Sequence, residues 1–542
     1  MKKLLILTAL VLTGVLTASA QTNTEILQRI ISQEQKLTRS LASYSPLVET
    51  YIQNIEADPD LGSRPKSDRY FLGKLDMSKG PRRTPFFGER GFAQGLRDRI
   101  EMTYSVVYIP DGFAQMIVID DAGRFDLTHY TFELARREFL GAVRCLVFNV
   151  TPKDKKIPGE FIGRIWVEDQ DYHIVRFNGA REDAGPSKLY FHFDSWREEM
   201  RPGLWLPTYV YTEEGDPMLT PTGKIQFKAQ TRLWGYSASR ANSQTEFTSL
   251  TVDDEKTADH SDVAENISPV MSLRQWEREA ADNILDKIQR AGLLAPPGEV
   301  DKVLETVINN LEVTNNLNIE PEVHARVMLT SPLDSFTVGH TIVLSRGLID
   351  VLPDEASLAM VISRQLAHIA LGHRLATKYA FTDRVLFDDA ETFYNLYLKR
   401  DENEEKQADQ KAMEILRKSP YKDKLSNVGL FLRVLSDRSK RLPNLMGNTL
   451  GNRMATNGQV RMSELMQVAP TLQPGKIDQI AALPLGGRIR VNSWDNTIQL
   501  MKGNSTNLLS AREKMQFEIA PMHLYLTRQS GETPAGTASK NN

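Results

Sequence analysis

The hydrophobic period of this chain changes near residue 260, and that change limits the folds that are open to it. Between about residues 100 and 250, apolar residues alternate with polar ones, most clearly from Lys224 to Leu233. A period of two predicts strands with one buried and one wet face. Beyond residue 270 the apolar residues recur at steps of three and four, which predicts helices. We therefore expect an α+β protein, with an antiparallel β-rich sheet or half-barrel followed by a mainly α-helical domain.

The β-rich region is predicted to be a meander of antiparallel strands. Residues 164–168 and 172–177 flank Asp169-Gln170-Asp171, which predicts a hairpin. Leu189, Phe191 and Phe193 alternate in the next predicted strand, and residues 205–211 form another. This strand order and its glycine-rich rhythm resemble the LolA-like lipoprotein-carrier half-barrel.

The flanking segments set the predicted domain boundaries. Residues 22–56 show a helical period, residues 57–98 are rich in Pro, Gly, Asp and Arg, and residues 251–270 are polar. Further helices are predicted at 272–291, 299–311, 354–373, 402–417 and 424–438, short strands at 324–330 and 336–344, and a closing hairpin at 488–501. The predicted units are an N-terminal helix with an irregular connection (21–98), a β-rich domain (99–250), a linker (251–270), a mainly helical domain (271–480), a hairpin segment (481–529) and a disordered tail (530–542).

The first twenty residues have the pattern of a cleaved signal peptide. Lys2 and Lys3 precede an apolar run from Leu4 to Leu16, and Ala18-Ser19-Ala20 is a small-residue cleavage motif. The run is shorter than the ~20 residues that a membrane-spanning helix needs. No later segment reaches eighteen uninterrupted apolar residues, so no membrane span is predicted. We expect a periplasmic or secreted protein that begins at Gln21.

Charge and cysteine content exclude several classes of protein. Lys and Arg number 66 against 69 Asp and Glu, so the net charge of -3 offers no basic field for nucleic acid. The one cysteine, Cys145, allows neither an intrachain disulfide nor a cysteine-based zinc site. It lies in a strand-like run without a visible catalytic partner, which argues against a nucleophilic role.

The segment from Leu344 to His373, which contains Arg364-Gln365-Leu366-Ala367-His368, is followed by Glu405-Lys406-Gln407-Ala408-Asp409. Together these segments resemble the zinc metallopeptidase family that includes the CAAX prenyl proteases and HtpX, over roughly residues 270–440. That family has an H-E-x-x-H helix and a later helix with E-x-x-x-D. The resemblance implies that His368 stands for the second histidine ligand and Glu405 for the third metal ligand. It implies that Asp409 does not bind the metal itself but orients a ligand histidine.

Two positions depart from that motif. Arg364 stands where the first histidine belongs and has no lone pair for a metal. Gln365 stands at the general-base position and cannot take a proton from water, so no catalytic residue is intact. No cofactor is therefore expected, and zinc is expected only if another residue supplies a ligand. We expect the Arg364 guanidinium to replace the metal as the counter-charge of Glu405, within ~4 Å of its carboxylate.

Simpler readings exist for each of these residues. His368 lies on an apolar helix and is also consistent with a hydrogen-bonded core histidine. Glu405 and Asp409 lie near a helix start, where acids are common. His373 follows His368 by five residues, about 140° around a helix, so it does not simply replace the missing ligand. His324 and His340 are possible surrogate ligands that nothing in their spacing recommends.

Three functions remain open from the sequence. The first is a non-hydrolytic envelope protein that binds a polypeptide or an apolar ligand, with residues 336–344 as a strand to which a peptide adds. The second is an active zinc metalloendopeptidase with a non-standard site. The third is a purely structural envelope protein.

Overall fold

The computed structural model describes residues 24–76, 82–85, 113–119, 123–154, 157, 159–181, 192–220, 223–237, 269–373, 398–447, 450–473, 475–476, 479, 488–501 and 517–529. The predicted signal peptide, nearly all of the predicted linker and the C-terminal tail lie outside these residues.

The first half of the chain forms a ten-stranded antiparallel sheet in the order β3-β2-β1-β10-β9-β8-β7-β6-β5-β4. Strands β4 to β10 follow one another as a meander, and the β1–β2–β3 unit joins its end because β1 pairs with β10. The predicted α+β class is confirmed. The strands are β1 (Leu47–Asp58), β2 (Gly62–Asp76), β3 (Arg82–Pro85), β4 (Tyr130–Leu140), β5 (Val143–Pro152), β6 (Phe161–Glu168), β7 (Ile174–Arg181), β8 (His192–Arg201), β9 (Leu204–Thr220) and β10 (Gly223–Trp234).

The N-terminal prediction was wrong in two places. The predicted helix over 22–56 ends at residue 41, and β1 follows it. The predicted irregular connection over 57–98 contains β2 and β3. Strand β1 is buried on both faces, with Leu47 and Tyr51 in one core and Val48 and Ile52 in the other. It therefore shows no alternation of polar and apolar residues.

Both faces of the sheet are covered. The helix over residues 24–41 and the segment 113–119 pack on one face, around Phe161, Phe177 and Phe193. The other face carries a layer of Trp and Tyr side chains that belongs to the same core as the second half of the chain. The buried salt bridge between Arg197 and Glu34 fastens the N-terminal helix to the sheet.

The second half of the chain is mainly helical around a small mixed sheet. Strand β13 lies at the centre of this sheet, parallel to β11 and antiparallel to β12. The prediction of one strand over 336–344 was wrong, because Gly339, at a φ of 58°, turns the chain between β12 and β13. The elements are helices Pro269–Arg290, Glu299–Asn315, Arg346–Val351, Glu355–Ala370, Glu402–Lys418 and Leu425–Ser439, and strands β11 (His324–Met328), β12 (Ser335–Val338), β13 (Thr341–Ser345), β14 (Ala455–Thr456), β15 (Gln459–Val460), β16 (Ile489–Val491) and β17 (Ile498–Leu500).

Buried polar contacts join the two halves into one packed body. Glu49 on β1 accepts hydrogen bonds from the backbone N–H of Ser331 at 2.6 Å and from its hydroxyl at 2.7 Å. Asp68 on β2 accepts from the backbone N–H groups of Asn444 and Leu445, at 3.1 and 2.7 Å. Burial raises the pKa of both carboxyl groups, and the hydrogen bonds oppose that shift. The sheet and the helical half of the chain therefore pack directly against each other.

The predicted closing hairpin is confirmed, since β16 pairs with β17 on either side of Asp495 and Asn496. In the described part of the chain, no helix has both the length and the apolar composition for crossing a membrane.

Candidate functional site

The degenerate motif lies on a helix that is buried continuously over residues 359–368. This helix, Glu355–Ala370, is called the motif helix below; it begins at the N-cap Asp354, whose side chain accepts from the Ser357 backbone N–H. Arg364, Gln365 and His368 are each no more than 3% exposed. The helix is apolar on most sides, so three polar side chains in its buried part need partners.

The Arg364 guanidinium forms a buried ion pair with Glu405, and this prediction is confirmed. Glu405 lies in the first turns of the helix Glu402–Lys418, called the acidic helix below, and is 1% exposed. Arg364 also donates through Nε to Asp409 Oδ1 at 2.9 Å, one turn further along the acidic helix. One guanidinium therefore links both acidic residues that the resemblance assigns to the metal site.

Two further side chains complete the polar cluster, and sequence reasoning missed both. Asn452 donates through Nδ2 to Glu405 Oε1 at 2.7 Å. Arg461 lies 3.8 Å from both Glu405 and Asp409 and holds Glu402 through two hydrogen bonds, at 2.9 and 2.7 Å. Both residues follow the acidic helix by many positions and belong to no spaced motif, so the sequence carried no signal for them.

Burial dominates the electrostatics of the cluster. It lowers the pKa of Arg364 and raises the pKa of Asp409, and the attraction between the two groups opposes each shift. The two charges therefore stabilise each other in this interior.

His368 is held as a neutral imidazole. Burial, followed by the positive charges of Arg364 and Arg400, lowers the pKa of His368 to about 2. Its Nδ1 lies 2.9 Å from Nδ1 of His373, and its Nε2 lies 3.5 Å from Glu405 Oε1. A neutral imidazole with its proton on Nε2 can point that proton at Glu405 and accept a hydrogen bond from His373. Both ring nitrogens of His368 therefore have polar neighbours within the protein, as is typical of a buried histidine in a core.

Gln365 makes a structural hydrogen bond. Its Nε2 donates to the hydroxyl of Ser335 on β12 at 3.0 Å, and the side chain is 3% exposed. The amide thus joins the motif helix to the small sheet and offers no basic atom to a water molecule.

The side chains present do not fit a zinc ion. The described residues contain no group of three His, Cys, Asp or Glu side chains that could hold a metal. Both Glu405 oxygens already have cationic or amide partners, Arg364 and Asn452. A cation added here would meet the guanidinium groups of Arg364 and Arg461 at close range.

The remaining predicted candidates lie elsewhere. His324 pairs with Glu305 at 3.3 Å, and its backbone N–H bonds the carbonyl of His340. Neither histidine contacts His368 or Glu405 within the described residues. Cys145 is buried on β5, and burial raises its thiol pKa to about 12, so it is not a thiolate at neutral pH.

Strand β12 is not open to an added peptide, contrary to the expectation for residues 336–344. It is an edge strand by order, but all four of its residues are buried. A Cβ atom placed on Gly451 would lie 2.8 Å from the Ser335 carbonyl oxygen, so the chain around Gly451 packs directly against this edge. Arg400 adds a hydrogen bond to the Thr337 hydroxyl at 3.1 Å.

Comparison with known proteins gives low similarity. No family model and no curated protein matches the chain. A LolA superfamily protein from Nitrosomonas europaea is 14% identical, with 38% of this chain and 93% of that chain covered and a TM-score of 0.17. A DUF1329 family protein from Desulfovibrio piger is 12% identical, with 38% and 92% covered and a TM-score of 0.18. The MucA/MucB complex of Pseudomonas aeruginosa gives 11% identity, 38% and 93% covered and a TM-score of 0.13.

Similarity at this level does not establish a family or a function for this chain. The neighbours match its β-rich part. No comparison supports the resemblance of residues 270–440 to the metallopeptidase family, which stays a prediction.

Proposed function

We propose that this chain is an exported, non-hydrolytic polypeptide-binding protein built on a metallopeptidase-like helical framework. The observation that supports it most directly is the buried ion pair of Arg364 with Glu405, the residue that the resemblance assigns to a metal ion. The export part of the proposal rests on the sequence of residues 1–20.

Hydrolysis by this kind of site needs a metal-bound water and a base beside it. Gln365 donates a hydrogen bond to Ser335, and His368 lies within hydrogen-bond distance of His373. Glu405 forms an ion pair with Arg364, so all three side chains already have partners within the protein. Losing a positioned base alone typically lowers a rate ~100- to 10,000-fold. The third possibility, a purely structural protein, differs from our proposal only in lacking a ligand.

A polypeptide ligand agrees better with the packing than an apolar small molecule does. The sheet face that would line a half-barrel is filled by the N-terminal helix and by residues 113–119. An apolar cavity between Leu333, Phe431 and Met454 has a volume of only ≈10 Å³. That is at the lower limit for one water molecule and far below the ~300 Å³ of a typical ligand pocket.

The outer edge of the large sheet offers a place for an added strand. Strand β4 pairs with β5 alone among the described strands, and most of its residues are exposed. Leu134 is 49% and Phe139 67% exposed on this edge. A bulge beside Arg136 and the Arg136–Glu138 salt bridge limit indiscriminate pairing, as edge strands commonly require. Backbone hydrogen bonds from a peptide strand, with Leu134 and Phe139 as apolar contacts, would supply the affinity.

We expect the purified wild-type protein to hold no stoichiometric zinc and to cleave no peptide in a chelator-sensitive way. The reason is that the Arg364 guanidinium already pairs with Glu405 and would repel a metal ion there. Elemental analysis and a general fluorogenic-peptide assay with and without chelator would check this. Chelator-sensitive cleavage by the wild-type chain, absent from a Glu405→Gln variant, would contradict the proposal and favour the metalloendopeptidase.

We expect the paired change Leu134→Lys and Phe139→Lys to weaken the binding of an unfolded polypeptide at least tenfold. Two lysines remove the apolar contacts and disfavour strand addition at this edge. Reduced, carboxymethylated α-lactalbumin is a suitable probe, measured by fluorescence anisotropy. Val313→Lys is the matched control, since Val313 is 65% exposed on a helix away from the sheet edge. Equal binding by all three proteins would exclude β4 as the site, and no binding by the wild type would favour the structural protein.

We expect the mature chain in the native host to begin at Gln21, because Ala18-Ser19-Ala20 is a small-residue cleavage motif after a short apolar run. Intact-mass and N-terminal mass spectrometry of the extracted protein would check this. A chain that retains Met1 and sediments with integral membrane protein would contradict it.

A further inference from the structure

A polar cleft lies where three separate parts of the chain meet. Its walls come from the end of β8, from the β16–β17 hairpin and from the C-terminal segment 526–529. Its volume is ≈180 Å³. At about 30 Å³ per water molecule, this is room for about six waters or for one small polar molecule.

The lining combines fixed charges with unused hydrogen-bonding groups. Glu198 Oε1 accepts from Arg490 Nη2 at 3.2 Å, and the second Glu198 oxygen has no hydrogen-bond partner among the described residues. The side chains of Gln499, Thr527 and Gln529 line the cleft and make no hydrogen bond within the described part of the chain.

The neighbouring Glu199 does not compete for a ligand. Its two oxygens accept from the backbone N–H groups of Gly203 at 2.9 Å and Gln529 at 2.7 Å. These bonds fix the C-terminal segment against β8, so the wall that carries Thr527 and Gln529 is held in place by a buried carboxylate.

The mixture of groups favours a ligand that both donates and accepts hydrogen bonds. An anion would need donors only, and an ammonium ion would need acceptors only. A hydroxyl donates and accepts at once, so neighbouring hydroxyls match a wall that places a carboxylate, a guanidinium and primary amides together. Met200, Val491 and Leu526 supply apolar surface for the C–H groups of a ring.

We propose that this cleft binds a saccharide unit, with Glu198 and Arg490 on adjacent hydroxyls and the Gln499 and Gln529 amides on the remaining polar atoms. The site is independent of the motif helix and of the β4 edge. Burial raises the pKa of Glu198, and the Arg490 guanidinium 3.2 Å away opposes that shift.

The test is binding of N-acetylglucosamine and of glucose to the full purified chain, measured by saturation-transfer NMR and calorimetry. We expect saturable binding of at least one of these sugars. Glu198→Gln and Gln499→Ala should each weaken it about tenfold, the effect of losing one charged or well-placed hydrogen bond. Gln459→Ala, an exposed glutamine on β15 outside the cleft, is the matched control and should leave binding unchanged.

Three results would overturn the proposal. The first is no saturable binding of either sugar at 50 mM. The second is binding that neither cleft variant weakens while both remain folded by circular dichroism. The third is a preference for phosphate or for ethanolamine over both sugars, which would assign the cleft to an anion or a cation instead.

Discussion

Arg364→Ala is expected to lower the free energy of unfolding by roughly 3–5 kcal/mol, the range for removing one partner of a buried ion pair. Arg364 is 1% exposed, and its loss leaves Glu405 with Asn452, the neutral His368 at 3.5 Å and Arg461 at 3.8 Å. Asp409 loses its Nε hydrogen bond in the same change. Arg461, at 3.8 Å from both carboxylates, compensates in part, so the loss should fall near the lower end of that range. Denaturant unfolding followed by circular dichroism measures it.

The double variant Arg364→Ala with Glu405→Gln separates the charge effect from the packing effect. Neutralising Glu405 removes the uncompensated charge, so the double variant should be more stable than Arg364→Ala alone. Arg290→Ala is the matched control, because Arg290 pairs with Asp286 on an exposed helix face and its loss should cost no more than ~0.5 kcal/mol. Two single variants whose effects merely add would show that the two side chains do not stabilise each other.

The sequence predicted the parts of this molecule that follow from periodicity and from spacing within one element. The alternation from Lys224 to Leu233 marks β10, and the residues around Asp495 form the closing hairpin. The Arg364–Glu405 pair was also predictable, because the resemblance to the metallopeptidase family implies that positions 364 and 405 face the same metal site. A buried carboxylate requires a counter-charge, either from a metal ion or from a cationic side chain.

The parts that were missed depend on contacts between distant segments. Strand β1 is buried on both faces because helical and sheet layers cover it from either side, and no local pattern records that. The coverage of β12 depends on Gly451 and Arg400, and the cluster around Glu405 depends on Asn452 and Arg461. None of these residues stands at a fixed spacing from the motif, so only the folded chain brings them together.

The paired change Arg364→His and Gln365→Glu is expected to make the stability of the protein depend on zinc. It places a second imidazole one turn before His368 and removes the guanidinium from Glu405, which gives two histidines and one carboxylate as metal ligands. Without metal, Glu405 has lost its ion pair and Gln365→Glu adds a second buried acid, so the variant should be less stable than the wild type by at least as much as Arg364→Ala. Zinc at a free concentration of 100 times its Kd should then return about 2.7 kcal/mol.

Arg461 is expected to weaken the binding of zinc by the paired variant. Its guanidinium remains 3.8 Å from Glu405 and Asp409, where it repels a divalent cation, so adding Arg461→Gln should tighten zinc binding. Adding His368→Ala instead should abolish it, because two ligands no longer hold the ion. Calorimetric titration and thermal unfolding with and without zinc measure both effects. A wild-type chain that zinc stabilises as much as the paired variant, or a triple variant with Arg461→Gln that zinc does not affect, would mean that Arg364 does not occupy the place of a metal.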